Sequence, residues 1–70
     1  MNIDVISIVK DYVDEGVEVT GESNLIYDLG LTSYDVAMIL NEIQEQYSVT
    51  VNVEKAREIK VVDDLLGCIE

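Results

Sequence analysis

The sequence predicts an all-α protein: a small four-helix bundle of three main helices and one short one, with a long loop between helices I and II. Three observations lead there. Apolar residues recur at three- and four-residue spacing in three separate stretches. The one β-branched run, Ser48-Val49-Thr50-Val51-Asn52-Val53, has no convincing second strand to pair with. A chain of 70 residues, 49% of them hydrophobic, suits one small domain with a modest core. Residues 1–70 are expected to form that single domain.

The first helix is expected over residues 3–13, where Ile3, Ile6, Val9 and Val13 share a stripe that Val5, Ile8 and Tyr12 widen. Asp4 in its first turn suits the positive end of the helix dipole, and Gly16 is the natural stop. Residues 14–32 form the long connection. Leu25, Ile26, Leu29 and Leu31 are expected to anchor it to the core, with Ser23-Asn24 capping one short turn.

The second helix is expected over residues 33–47. Val36, Ile39, Leu40, Ile43 and Tyr47 make one continuous face, and Thr32-x-x-Asp35 fits a variant capping box with Thr32 as N-cap. Residues 48–53 read as an extended segment whose valines plug the core. A short helix is expected over 54–58, starting just after Asn52 or Val53. The last helix is expected over 61–69, with Val61, Val62, Leu65, Leu66 and Ile69 apolar and Gly67 weakening its end.

Charge narrows the function classes. Fifteen acidic residues face four basic ones, for a net charge of -11. That balance repels phosphate backbones and anionic lipid, so neither nucleic acid nor membrane is an expected partner. It favours electrostatic steering onto proteins with basic patches. The chain has no histidine, the commonest general base, and its single Cys68 has no internal disulfide partner. No basic segment followed by an apolar run opens the sequence, and a cytoplasmic, monomeric, freestanding protein that is not an enzyme is expected.

The residues around Asp28-Leu29-Gly30-Leu31-Thr32-Ser33 concentrate the functional signal. Ser33 stands between a glycine turn and the start of the best amphipathic helix. The first N–H groups of a helix lack internal partners and favour anions, so a phosphoester on Ser33 would meet donors without a basic side chain nearby in sequence. Local pattern alone leaves two readings open: a helix cap, the commoner use of serine at such a position, or a hydroxyl modified by another enzyme.

The run Asn24-Leu25-Ile26-Tyr27-Asp28-Leu29-Gly30-Leu31-Thr32-Ser33 resembles the attachment motif of the acyl carrier proteins. The similarity continues through Glu42-Ile43-Gln44-Glu45-Gln46-Tyr47 and Ala56-x-x-Ile59-x-x-Val62-x-x-Leu65. The resemblance implies that Ser33 carries 4′-phosphopantetheine, taken covalently from coenzyme A, whose thiol holds an acyl group as a thioester. It implies two kinds of partner: a phosphopantetheinyl transferase, and acyl-loading, condensing or acyl-transfer enzymes with basic docking patches. The pathway expected is fatty-acid, specialised lipid or polyketide biosynthesis.

The departures from the family pattern are local. Thr32 stands where the family usually has aspartate, Tyr34 where leucine is usual, and Met38 where glutamate is frequent. Thr32, Tyr34, Asp35, Met38, Glu42 and Glu45 are therefore the expected partner-binding residues, with Tyr34 and Met38 on the face nearest Ser33. A carrier dedicated to a specialised pathway fits these changes. Two alternatives stay open: an aminoacyl or peptidyl carrier of the same fold, and a small acidic adaptor in which Ser33 is only a cap. A bundle packed with Leu40, Ile43, Ile59, Val62 and Leu65 could also open a slot for an acyl chain.

Other features point to no further chemistry. Asp11 to Glu22 imitates an EF-hand loop only in part, since Val13 occupies a ligand position. Asp14-Glu15 and Asp63-Asp64 are neighbours that do not face each other on a helix, and Cys68 reads as a packing residue.

Overall fold

The computed structural model describes residues 3–70. Four helices follow in order: α1 (Val5–Lys10), α2 (Ser33–Tyr47), α3 (Val53–Ala56) and α4 (Asp64–Gly67). The architecture is all-α. Only α2 is long, and α1 packs against it.

The 15 residues of α2 coincide with the sequence expectation because its signals are local. Thr32 Oγ1 accepts the N–H of Asp35 at 3.1 Å, and Asp35 Oδ2 accepts the N–H of Thr32 at 2.9 Å. This reciprocal capping box satisfies two donors at once. Ile39, Leu40 and Ile43 are buried, with Val36 and Tyr47 packed at the margin. The helix ends at Ser48, a left-handed residue with φ 54° and ψ 42°.

The predicted 3–13 helix shrinks to Val5–Lys10. Asp4 is its N-cap rather than a first-turn residue, accepting the Ser7 N–H at 3.1 Å. Past Lys10 the chain tightens into i→i+3 bonds, Tyr12 N–H to Val9 O at 2.9 Å and Val13 N–H to Lys10 O at 3.4 Å. Gly16, at φ +93°, therefore belongs to a separate turn and not to the helix stop.

The connection from 14 to 32 is tied down as expected, with Leu25, Leu29 and Leu31 buried. Ile26 differs: it is 42% exposed and does not enter the core. Backbone pairing with the chain's last third adds a second tether. The Leu25 N–H donates to Lys60 O at 2.9 Å and the Val62 N–H to Ser23 O at 3.1 Å, forming a bridge between Asn24 and Val61.

The same pairing shortens the last helix. The predicted 61–69 helix is a single turn, Asp64–Gly67, because Val61 and Ile69 are both committed to bridges. Ile69 pairs with Val51, with the Asn52 N–H donating to Cys68 O at 2.7 Å and the Glu70 N–H to Thr50 O at 2.9 Å. The three-main-helix expectation is thus corrected to one long helix, one short one and two single turns. The expected extended segment 48–53 is trimmed at both ends, since Ser48 ends α2 in the left-handed region and Val53 already opens α3, and within it Val51 does find a partner. Val51 is buried while Val53 is 76% exposed. Asn52 caps α3, accepting the N–H groups of Glu54 and Lys55 at 3.0 and 3.2 Å.

The core joins Val5, Ile8 and Val9 of α1 to the buried face of α2, to the loop leucines, and to Val62, Leu65 and Cys68. Among the described residues, no helix is long and apolar enough to cross a membrane.

Candidate functional site

The segment before α2 is shaped by its own side chains. Asn24 Oδ1 accepts the N–H groups of Ile26 and Tyr27 at 3.0 and 2.8 Å, and Asp28 Oδ2 reaches back to the Asn24 N–H at 2.8 Å. A wide turn results, whose end is closed by Gly30 N–H to Ile26 O at 3.1 Å and Leu31 N–H to Leu25 O at 3.0 Å. Gly30 adopts φ +70°, a conformation that side chains resist. The turn buries Leu29 and Leu31 while leaving Thr32 and Ser33 outside. Tyr27 at its apex is 88% exposed.

Ser33 is the first residue of α2 and is exposed. The cap belongs to Thr32 and Asp35, and the Ser33 hydroxyl has no part in it. Its position still faces the partial positive charge of the helix start. The hydroxyl is therefore available to a reaction from outside and sits where an anion is favoured.

Beside Ser33 opens a cleft of about 340 Å³, lined by Leu25, Ile26, Ser33, Val36, Ala37, Leu40, Ala56, Arg57 and Ile59. One wall is the flank of α2 and another is the end of α3. Of the residues expected to line an acyl slot, Leu40 and Ile59 are here. Ile43, Val62 and Leu65 are instead closed in the core, each with no exposed surface or nearly none. Arg57 was not legible as a site residue: it is distant in sequence and reaches the cleft only because α3 folds back beside α2.

The expected partner-binding residues separate into two strips. Successive helical residues turn by roughly 100°, so Tyr34, Met38 and Glu45 share one ridge while Asp35 and Glu42 lie along the next. Tyr34 is 71% exposed and Met38 42%, and neither lines the cleft. Asp35 and Glu42 are half-buried. Their charges reach Tyr12, whose phenol is pushed above its ordinary value by burial first, then by Glu42, Asp11 and Asp35. Thr32 is exposed but engaged, its hydroxyl 3.0 Å from Asp35 Oδ2.

Cys68 is buried, and burial raises its thiol above the ordinary value. Its Sγ lies 3.5 Å from Asp64 O. This is a packing residue rather than a nucleophile.

The start of α2 thus presents an exposed serine relieved of capping duty beside the cleft. Residues 4–69 match the family described as phosphopantetheine attachment site. Curated relatives named acyl carrier protein align over most of the chain. That of Porphyromonas gingivalis is 33% identical over 67 residues, covering 94% of this chain and 86% of its own. Those of Helicobacter hepaticus and Coprothermobacter proteolyticus are 33% and 34% identical, covering 90% and 91% of this chain and 83% and 79% of their own. No solved structure gives a significant match. The chain belongs to the acyl carrier protein family, whose members work as carriers of a covalently held 4′-phosphopantetheine. The acidic-adaptor alternative gives way to that assignment.

Proposed function

We propose that this chain is a single-domain acyl carrier, not an enzyme, and that Ser33 is the residue to which a phosphopantetheinyl transferase attaches the arm of coenzyme A. The observation that carries this reading is the division of work at the start of α2. Thr32 and Asp35 cap the helix, so Ser33 is exposed without a structural task. When bound, 4′-phosphopantetheine supplies the thiol on which an acyl group is held as a thioester.

The chain's own residues prepare for this in three ways. The first turn of α2 offers N–H donors and positive potential to the phosphate. The cleft offers Leu25, Ile26, Val36, Leu40 and Ile59 as apolar cover for part of the tethered group. The ridge of Tyr34, Met38 and Glu45, with Asp35 and Glu42 beside it, offers a few apolar anchors inside a charged rim. Such a surface suits brief docking on several enzymes with basic patches, the charges setting the on-rate. The finer architecture we infer is a small four-helix bundle in which α3 and α4 are single turns, working as a monomer in the cytoplasm.

Intact mass after incubation with coenzyme A and a promiscuous transferase tests the attachment site. The wild type should gain one arm, and Ser33→Ala should gain none. An arm on the alanine variant would place the site elsewhere.

The exposed Tyr34 and Met38 also support a specialised pathway over housekeeping fatty-acid synthesis. Thioester exchange with purified fatty-acid synthase enzymes measures this. Turnover at housekeeping rates would sink the specialised reading and leave the carrier itself intact.

A further inference from the structure

We propose that Arg57 binds the phosphodiester formed on Ser33 and so seats the near end of the arm along the cleft. The inference rests on Ser33 being the attachment residue. Among the nine residues that line the cleft, Arg57 is the only charged one. It shares that lining with Ser33 itself, so a phosphate bonded to Ser33 Oγ is held by its own covalent link at a cleft that Arg57 also borders. A tethered ligand has a high effective concentration, so one exposed cation suffices to hold it.

Three features make Arg57 suited to this. Its backbone is fixed: Asn52 caps α3, and the Arg57 N–H donates to Glu54 O at 3.3 Å as the C-cap of that turn. Its side chain is exposed, and a long flexible stem carries its charged head. Its planar fork matches two phosphate oxygens, a geometry a lysine cannot copy. There is also something for it to offset. The chain has a net charge of -11, and the phosphodiester adds another negative charge close to Asp35. The α2 N-terminus answers part of that charge from one side, and Arg57 answers it from the other.

The test compares apo and holo protein for the wild type, Arg57→Gln and Arg57→Lys, with intact mass and a Ser33→Ala control confirming the arm on Ser33. Each is followed by ¹H–¹⁵N spectra and melting temperature. In the wild type, attachment should shift the Arg57 Nε–H signal and the amides of residues 56–59, and holo should melt no lower than apo. In Arg57→Gln the shifts at 56–59 should vanish while those at the start of α2 remain, and holo should melt a few degrees below apo. Arg57→Lys should recover the melting temperature in part, and 1 M salt should shrink the difference between variants.

An Arg57 Nε–H signal unmoved by the arm, or shifts at 56–59 that persist in Arg57→Gln, would overturn the proposal. So would a signal that moves only after the arm is loaded with a dicarboxylic acyl group and not with acetyl, since the guanidinium would then be answering the cargo's carboxylate. If the mass shows no arm on Ser33, it is the attachment reading that fails. The apo spectra of each variant report whether it is folded.

Discussion

Thr32 and Asp35 cap α2 for each other, and Ser33 sits between them with no share in the work: the Asp35 N–H reaches Thr32 Oγ1 at 3.1 Å and the Thr32 N–H reaches Asp35 Oδ2 at 2.9 Å. Stability and modification should therefore separate between neighbouring residues. Thr32→Ala removes an N-cap acceptor and should cost about 0.5–2 kcal/mol. Ser33→Ala changes an exposed side chain outside the cap and should stay within about 0.5 kcal/mol. Urea denaturation of both, beside their capacity to accept the arm, checks the pair. Equal destabilisation by Ser33→Ala would return Ser33 to a structural role.

The pH dependence of stability follows from one lowered group, Asp64, and two raised ones, Tyr12 and Cys68. Asp64 Oδ2 accepts the N–H groups of Val61 and Lys60 at 3.0 and 2.9 Å, and these bonds hold its carboxyl below the ordinary 3.8. Its folded pKa is lowered, so its contribution is full above the ordinary value and is lost as pH falls through the folded one. Tyr12 is the reverse. Its phenol is raised above 10.0, chiefly by burial, so its contribution is full below that value and is lost as pH rises through the folded one. Melting temperature against pH should thus fall at both ends. Asp64→Asn should flatten the acid limb and Tyr12→Phe should soften the alkaline limb. Cys68, also raised by burial from an ordinary 9.0, should keep part of the alkaline limb in place.

The left-handed turn at Ser48 offers a stabilising substitution. It has φ 54°, and it is the only non-glycine with positive φ among the described residues. A β-carbon is disfavoured there, whereas glycine is at ease. Ser48→Gly should raise stability by about 0.5–1 kcal/mol, after the extra freedom glycine gains in the unfolded chain is subtracted. A thermal melt measures it, and a loss of stability would mean that Ser48 contributes a bond that outweighs its backbone.

What could be read from the sequence tracks how local each signal was. The bounds of α2, its capping box and its buried face lie within one stretch of chain, and all were legible. So was the cap at Asn24, a short polar side chain ahead of a turn. The ends of α1 and α4 were not. Val61 and Ile69 fit a helical stripe, but their backbones pair with Asn24 and Val51 from elsewhere, and tertiary pairing overrides propensity. The Tyr47 hydroxyl, which accepts the Asp4 N–H at 3.2 Å, is equally non-local. Around Ser33 the capping box was legible, and of the expected acyl slot Leu40 and Ile59 do line the cleft, while Arg57 was not legible because α2 and α3 must meet before it has a place there. Gly21 had no visible reason in sequence. In the structure an added β-carbon at this position would overlap the carboxylate of the exposed Asp63, which would have to swing aside.

Gly30 gives a way to test whether the turn before α2 is needed for presentation or only for stability. Both Gly30 and Gly16 have positive φ, at +70° and +93°, and at both an added β-carbon would meet no atom within 4 Å. Alanine at either site should therefore cost only backbone strain, offset in part by the freedom the unfolded chain loses, for a net of about 0.5–1 kcal/mol. Only Gly30 closes the turn that leads into Thr32 and Ser33, through its N–H bond to Ile26 O. Gly30→Ala should slow transfer of the arm to Ser33 as well as lower stability, whereas Gly16→Ala should lower stability and leave transfer unchanged. Transfer rates at a temperature where both variants are fully folded make the comparison. Equal rates would mean that Ser33 is presented by α2 and its cap, with the preceding turn serving only to anchor the loop.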